Sequence, residues 1–282
     1  MNLATLPLAA ALLTAPATLL AQASPEAAPP QSAGVGAAPA DQNNDHEIAK
    51  QLSNPVASLI SVPFQENLDF GLGPHGEGVK STLNIQPVLP VALSPNLNVI
   101  IRTILPVINQ TAYQGPGSGA FGLGDTTQSF FFAPKSSGII WAVGPAFLYP
   151  TATDHDTGGD KWGAGPTALV LKQAGKNTIG FLANHIWSVA GNEQRPDIST
   201  TFIQPFYSHT TLGATTYGIN AEASYDWKHD SWVVPINVTV QQLTKMGNQR
   251  VQFGLGGRYY LESPSGGPDW GLRLIFTLLF PK

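Results

Sequence analysis

The sequence predicts an all-β chain, an antiparallel transmembrane β-barrel of about twelve strands with short turns at one end and longer loops at the other. Three observations carry that prediction. The first is a pair of long alternating runs, residues 215–227 and 232–241, joined by a polar turn. Tyr217, Ile219, Ala221, Ala223, Tyr225 and Trp227 alternate with Gly218, Asn220, Glu222, Ser224 and Asp226, and Trp232, Val234, Ile236, Val238 and Val240 share one face of the second run. A period of two marks a strand with one apolar and one wet face, and such runs are long against the about five to six residues usual in soluble sheets. The second is composition: charged residues make up 11% of the chain, against roughly 25% in soluble domains. Yet beyond the N-terminus no apolar run approaches the ~20 residues of a spanning helix, so the hydrophobicity is carried in alternation. The third is the final run, in which Trp270, Leu272, Leu274, Phe276, Leu278 and Phe280 share a face. At about 3.3 Å per residue and about 40° of tilt it covers roughly 25 Å, the height of a barrel's apolar band, with an aromatic at each rim.

Taken in order, residues 1–23 read as a secretory signal peptide, an Ala/Leu-rich stretch ending in Ala21-Gln22-Ala23, although no Lys or Arg precedes it. Residues 24–47 carry Pro25, Pro29, Pro30 and Pro39 among Ala, Gly and Ser, and read as a disordered periplasmic linker. A lead-in over 48–58 follows, with a short helix over 45–52 capped by Asp45 and stopping before Pro55. The barrel occupies 59–282, with strands expected near residues 59–70, 81–93, 97–108, 122–133, 139–150, 162–173, 178–190, 199–209, 215–227, 232–243, 251–262 and 270–280. Residues 94–96, 135–138 and 174–177 are tight turns, while 109–121, 151–161 and 191–198 are longer polar loops. Prolines interrupt the pattern. Pro63, Pro90, Pro106, Pro166 and Pro235 lie near strand ends, whereas Pro145 and Pro205 are interior and imply bulges.

Several functions are excluded or disfavoured. The chain has no cysteine, so disulfides and thiolate metal sites are out, and a net charge of −4 with no basic cluster argues against a nucleic-acid partner. A soluble barrel would show the same period with its greasy face inward; strand length, rim aromatics and the export segment favour the membrane.

From Asn54-Pro55-Val56-Ala57-Ser58-Leu59-Ile60-Ser61-Val62-Pro63-Phe64-Gln65 the chain resembles a group of bacterial outer-membrane transporter-like barrels. The likeness continues through Gly122-Leu123-Gly124-Asp125, Gln128-Ser129-Phe130-Phe131-Phe132, Lys161-Trp162-Gly163-Ala164-Gly165-Pro166 and Asn184-His185-Ile186-Trp187-Ser188. Proteins near the meta-pathway of phenol degradation family carry similar motifs, some bacterial relatives bearing the label neuromedin U, which nothing in this sequence supports. The resemblance implies an outer-membrane barrel of a Gram-negative bacterium tied to passage of small, often hydrophobic compounds. The terminal Phe280 likewise resembles the signal read by the barrel-assembly machinery, with Pro281 and Lys282 as a departure.

No catalytic residue is expected. A Ser-His nucleophile pair on one face of a strand needs spacing of two, but His185 and Ser188 are three apart, Ser208 and His209 are adjacent, and no His-x-Ser occurs. Asp154, His155, Asp156 and Asp160 crowd one loop without the calcium-loop spacing, so no metal and no cofactor is expected. Gly115, Gly117 and Gly119 open no helix and make a loop rather than a phosphate cradle. Asp125, at the start of the fourth strand, is expected to brace the preceding loop or cap the strand. The pore lining is expected to hold Arg102, Glu222, Asn237, Arg258, Glu262 and Arg273: Glu222 facing Asn237, Asn237 facing Arg258, Arg273 and Glu262 diagonal on the last hairpin, and Arg102 inward from the third strand. The expected function is a narrow passive channel or transporter with outer-membrane lipid and a small-molecule solute as partners, the alternatives being a non-transporting structural or adhesion barrel and an outer-membrane lipid hydrolase.

Overall fold

The computed structural model describes residues 39–135 and 138–280. The expected signal peptide, most of the expected linker, and Pro281 and Lys282 lie outside the described residues. One helix, α1 (Pro39–Leu52), precedes β1 (Ile60–Leu72), β2 (Gly78–Ile85), β3 (Val88–Ser94), β4 (Leu97–Thr111), β5 (Gly119–Leu123), β6 (Thr126–Pro134), β7 (Ile139–Tyr149) and β8 (Lys161–Ala174). Then come β9 (Asn177–Gly191), β10 (Ser199–Thr210), β11 (Thr215–Ala221), β12 (Ala223–Asp226), β13 (Ser231–Val233), β14 (Pro235–Met246), β15 (Gln249–Tyr260) and β16 (Trp270–Phe280). All belong to one antiparallel sheet, closed where β1 pairs β16 from Ile60 opposite Phe280 to Phe70 opposite Trp270. The sixteen segments make twelve staves, because β2 with β3, β5 with β6, β11 with β12, and β13 with β14 each run along one stave.

Each divided stave breaks at a place where the ladder loses a bond. Gln86-Pro87 separates β2 from β3, Gly124-Asp125 separates β5 from β6, Glu222 separates β11 from β12, and Val234, just before Pro235, separates β13 from β14. The two interior prolines find their explanation in the same way. Pro205 stands beside the break at Glu222: β10 pairs β11 up to Phe206 and β12 from Ile203, leaving Gln204 and Pro205 unpaired on that side. Pro145 of β7 lies opposite Pro166 of β8, and the outer ladders of both strands lapse there. The residue before each is glycine. A Cβ on Gly144 would lie 1.8 Å from the Phe130 carbonyl oxygen, and one on Gly165 would lie 1.7 Å from that of His185. Two Gly-Pro pairs thus let the flanking strands close in where proline donates no hydrogen bond.

The outer face is apolar: Val238, Val240, Leu255, Leu272 and Leu274 are exposed there. Five of the six tryptophans, Trp162, Trp187, Trp227, Trp232 and Trp270, gather at the long-loop rim, with Trp270 stacked on Phe70 at 4.6 Å and Trp162 edge-on to Tyr149 at 5.6 Å. Such a girdle is what a membrane interface selects. Glu66 sets a carboxylate on this face. It stands in register with Leu274 and Leu83, and Ser81 Oγ donates to its Oε1 at 2.7 Å.

The lead-in differs from the sequence expectation. The helix begins at Pro39 rather than near Asp45, so residues 39–47 are helical and not linker, and Asp45 lies inside the helix, where its Oδ1 accepts from Arg250 Nε at 2.9 Å. Pro39 is tolerated in the first turn because the N–H it lacks would have no intrahelical partner. Docking supplies the stability that local composition withholds. Ile48, Ala49 and Leu52 pack with Ala57 and Leu59 against Ala214, Leu243 and Leu279 at the short-turn end of the barrel. His46 Nδ1 meets the Thr211 carbonyl at 2.9 Å, and Gln173 Nε2 donates to the Lys50 carbonyl at 2.9 Å. After the helix, the Asn54 side chain turns the chain by accepting from Val56 N at 3.0 Å. Val56 then enters the barrel and is buried among Ile100, Phe131, Leu169, Leu171 and Leu182.

Candidate functional site

The lumen has two layers. Above Val56, toward the long-loop end, lies a cavity of about 450 Å³. Its floor is formed by the lead-in from Gln51 to Ala57, and its wall mixes apolar residues, among them Phe131, Leu182 and Phe202, with polar ones, among them Gln86, Gln204 and Gln252. Arg102, Glu222 and Arg273 are its charged lining residues.

Beside the cavity, charges from four staves converge. Alternation places Asn67 and Asp69 of β1, Arg258 of β15 and Arg273 of β16 inward, while Glu222 enters from the break between β11 and β12. Arg273 binds Glu222 through both ends of its guanidinium, Nη1 to Oε1 at 2.8 Å and Nη2 to Oε2 at 2.7 Å. Asn67 Oδ1 accepts from Arg273 Nε at 2.8 Å and from Arg258 Nη1 at 2.9 Å, tying the two arginines to one amide. Arg258 Nε lies 3.0 Å from Asp69 Oδ1 as an ion pair whose angle is too bent for a hydrogen bond, and Arg258 Nη1 lies 3.6 Å from Glu222. Its Nη2 donates to Tyr260 Oη at 2.9 Å. Removing either member of such a buried pair leaves the other charge uncompensated, and Glu222, Arg258, Arg273 and Asn67 each have more than one partner here.

The expected pore residues are divided by the structure. Arg102, Glu222 and Arg273 border the cavity. Asn237 is fully buried in the wall and opposite Arg258, but its other neighbour is Asn220, not Glu222; Asn237 Nδ2 donates to Asn220 Oδ1 at 2.8 Å. The register of that hairpin is two residues away from the expected one because the turn centres one residue earlier, with Asp226 opposite Ser231. Arg258 is sealed among its partners and does not line the cavity. Glu262 is a correction: it follows β15 in the long connection to β16, exposed and outside the charge cluster. Asn67, Asp69 and Lys80 were missed by the sequence reading, though the alternation of Gln65, Asn67 and Asp69 with Phe64, Leu68 and Phe70 carries their signal.

At the long-loop end Asp125 occupies the break between β5 and β6. Its Oδ2 accepts from Gly159 N at 2.6 Å and its Oδ1 from Ala152 N at 3.2 Å, so one carboxylate pins both ends of the connection between β7 and β8. Tyr113 Oη donates to Asp156 Oδ2 at 2.5 Å, linking that loop to the one between β4 and β5. This hydrogen bond, then that from His155, holds the Asp156 carboxyl below its usual range, and the same bond pushes the Tyr113 phenol up to about 12. The acidic residues do not converge: Asp160 accepts from Asn192, and Asp154 from the backbone of Asp156. Among the described residues no group of three or more His, Asp or Glu side chains is arranged to hold a metal ion. His185, on the outer face, touches Thr201 Oγ1 at 2.7 Å and Ser199 Oγ at 3.4 Å, with no carboxylate in that set.

No family model matches this chain, and no curated protein matches it. Among solved structures it is similar to an outer-membrane channel of the COG4313 group from Pseudomonas putida F1, with a TM-score of 0.61 and 14% identity over 79% of this chain and 94% of that one. It is more distantly similar to outer membrane phospholipase A from Escherichia coli, with a TM-score of 0.42 and 11% identity over 83% of this chain and 98% of that one. At this level of identity the likeness to the channel is one of fold, and the chain has the fold of an outer-membrane β-barrel.

Proposed function

We propose that this protein is a Gram-negative outer-membrane channel for small solutes, hydrophobic ones among them, inserted by the barrel-assembly machinery with its short turns in the periplasm. One observation carries the reading. The barrel encloses a defined cavity of half polar and half apolar character, floored by its own lead-in, instead of a lumen packed solid by side chains. The motif resemblance, the aromatic girdle and the likeness in fold to a channel support it. No catalytic turnover is assigned. Conductance of the refolded chain in planar bilayers tests the proposal: discrete current steps are expected, and a chain lacking α1 through Val56 is expected to give larger ones. Silence from both forms over many verified insertions would leave a structural barrel in place of a channel.

A further inference from the structure

We propose that the lumenal cavity is a binding site for a monoanionic amphiphile, a molecule with one carboxylate or similar anionic head and an alkyl or aryl body, with Arg102 as its head-group anchor. This names the solute class of the channel reading and rests on it.

Charge supplies the first argument. Of the charged groups bordering the cavity, Glu222 has both oxygens taken by Arg273, and the neighbouring Asp69 is taken by Arg258. Among the described residues Arg102 forms no ion pair, and its hydrogen bond runs from Nη2 to Gln86 Oε1 at 3.0 Å. A guanidinium carries five N–H donors, so donors remain for a ligand. Lys80, across the strand pair from Asp69, also forms no ion pair among the described residues. The central lumen therefore holds Lys80, Arg102, Arg258 and Arg273 against Asp69 and Glu222. Arg102 and Lys80 feel Glu222 and Asp69 only at a distance, without an ion-pair contact, and an anion that contacts such a cation out of bulk water is bound favourably.

Shape supplies the second. Arg102 lies opposite Ser129 and Ile100 opposite Phe131, so Phe131 sits one pleat below Arg102 on the way to the Val56 plug. Leu182 and Phe202 also line the cavity, and both pack in one apolar cluster with Phe131. An anionic head at Arg102 would therefore place its apolar body against Phe131, Leu182 and Phe202. At about 450 Å³ the space falls within the size range of small-molecule sites.

Calorimetric titration of the full refolded chain in a neutral detergent, with decanoate, decanol and decylammonium as probes, tests the site. Decanoate is expected to bind one per chain and about tenfold more tightly than decanol, with decylammonium weakest. Arg102→Gln is expected to bring decanoate down to the affinity of decanol, and Arg102→Lys to keep part of the preference. Equal affinity for the three probes, or an unchanged preference in Arg102→Gln, overturns the site. Should Arg102→Gln not fold, the wild-type preference must vanish when acid protonates decanoate, and its persistence overturns the site equally. Binding is read here without conductance. Decanoate binding by a chain that is silent in bilayers would remove the channel and keep the site; current steps from a chain without the decanoate preference would do the reverse.

Discussion

Arg273 reaches from β16 past two intervening staves to grip Glu222 at the break between β11 and β12, with contacts of 2.8 and 2.7 Å. The pair is a strut across the barrel interior. Arg273 is 2% exposed, so its charge has little recourse to water if Glu222 is lost. Glu222→Gln is expected to destabilise the barrel by about 3 kcal/mol, the scale of an orphaned buried charge. Replacing both partners with leucine should cost less than Glu222→Gln alone, because no charge is then left unpaired. Denaturant unfolding in lipid vesicles measures both, and a double variant weaker than the single one would show that the strut is not the source of stability.

Ion selectivity should depend on Arg102 and not on Arg258. The sequence alone suggests Arg258 as the lumenal charge to reverse, but its side chain is sealed by Asn67, Asp69, Glu222 and Tyr260. Arg258→Glu would set a third carboxylate beside Asp69 and Glu222, and it is expected to lower stability without a clean change in selectivity. Arg102 borders the cavity, so Arg102→Glu is expected to shift the reversal potential in a salt gradient toward cations. Unchanged reversal potential in a conducting Arg102→Glu variant would take Arg102 out of the ion path.

The barrel was legible because period-two alternation is a local signal, and the twelve expected runs coincide with the twelve staves. What was not legible depends on distance. The pairing of Asn237 with Asn220 turns on a one-residue shift in where the Trp227-Lys228-His229-Asp230 turn centres, and alternation is blind to that shift because a two-residue slip keeps each side chain on its face. Pro145 could be recognised as a break but not explained, since its partner Pro166 and the close approaches at Gly144 and Gly165 come from neighbouring strands. The lead-in helix was expected over 45–52, but its start at Pro39 and its docking were not legible, for a related reason. The helix gains stability from Ala214, Leu243 and Leu279, all more than a hundred residues away in sequence, while the composition of its first turns predicts a linker.

Glu66 offers a test of where lipid lies. It stands mid-strand on the outer face, opposite Leu274 and Leu83, with Ser81 as its hydrogen-bond donor and no ion-pair partner among the described residues. If that face meets hydrocarbon, Leu274→Arg should cost roughly 2–4 kcal/mol, and Glu66→Leu should stabilise the barrel by about 1 kcal/mol because a carboxylate at that depth is unfavourable, though less so than a cation. In a water-soluble barrel both changes would lie on a solvated surface and shift stability by about 0.5 kcal/mol or less. Unfolding free energies of the two variants in vesicles separate these cases, and a destabilised Glu66→Leu would mean that the carboxylate has a partner in the membrane.

The clasp between Tyr113 and Asp156 should give the long-loop end a pH window with two edges. Asp156 is depressed in the folded state, so its contribution is complete above its ordinary value near 3.8 and is lost as pH falls through the lower folded value. Tyr113 is raised, so its contribution is complete below its ordinary value of 10.0 and is lost as pH rises toward about 12. Between those limits the phenol donates to the carboxylate and the two loops are tied; outside them the donor or the charged acceptor is gone. Protease cleavage within 112–118, read by mass spectrometry of the refolded chain, is expected to be slow between about pH 4 and 10 and to quicken at either edge. Both groups are solvent-exposed, so the effect is confined to the loops and the barrel itself should stay folded throughout. Tyr113→Phe removes the donor and should cleave quickly at every pH, with its profile flat across the window. A wild-type profile as flat as that of Tyr113→Phe would show that the loops are held by other contacts, such as the bond from Gln110 Nε2 to the Asp156 carbonyl at 3.0 Å.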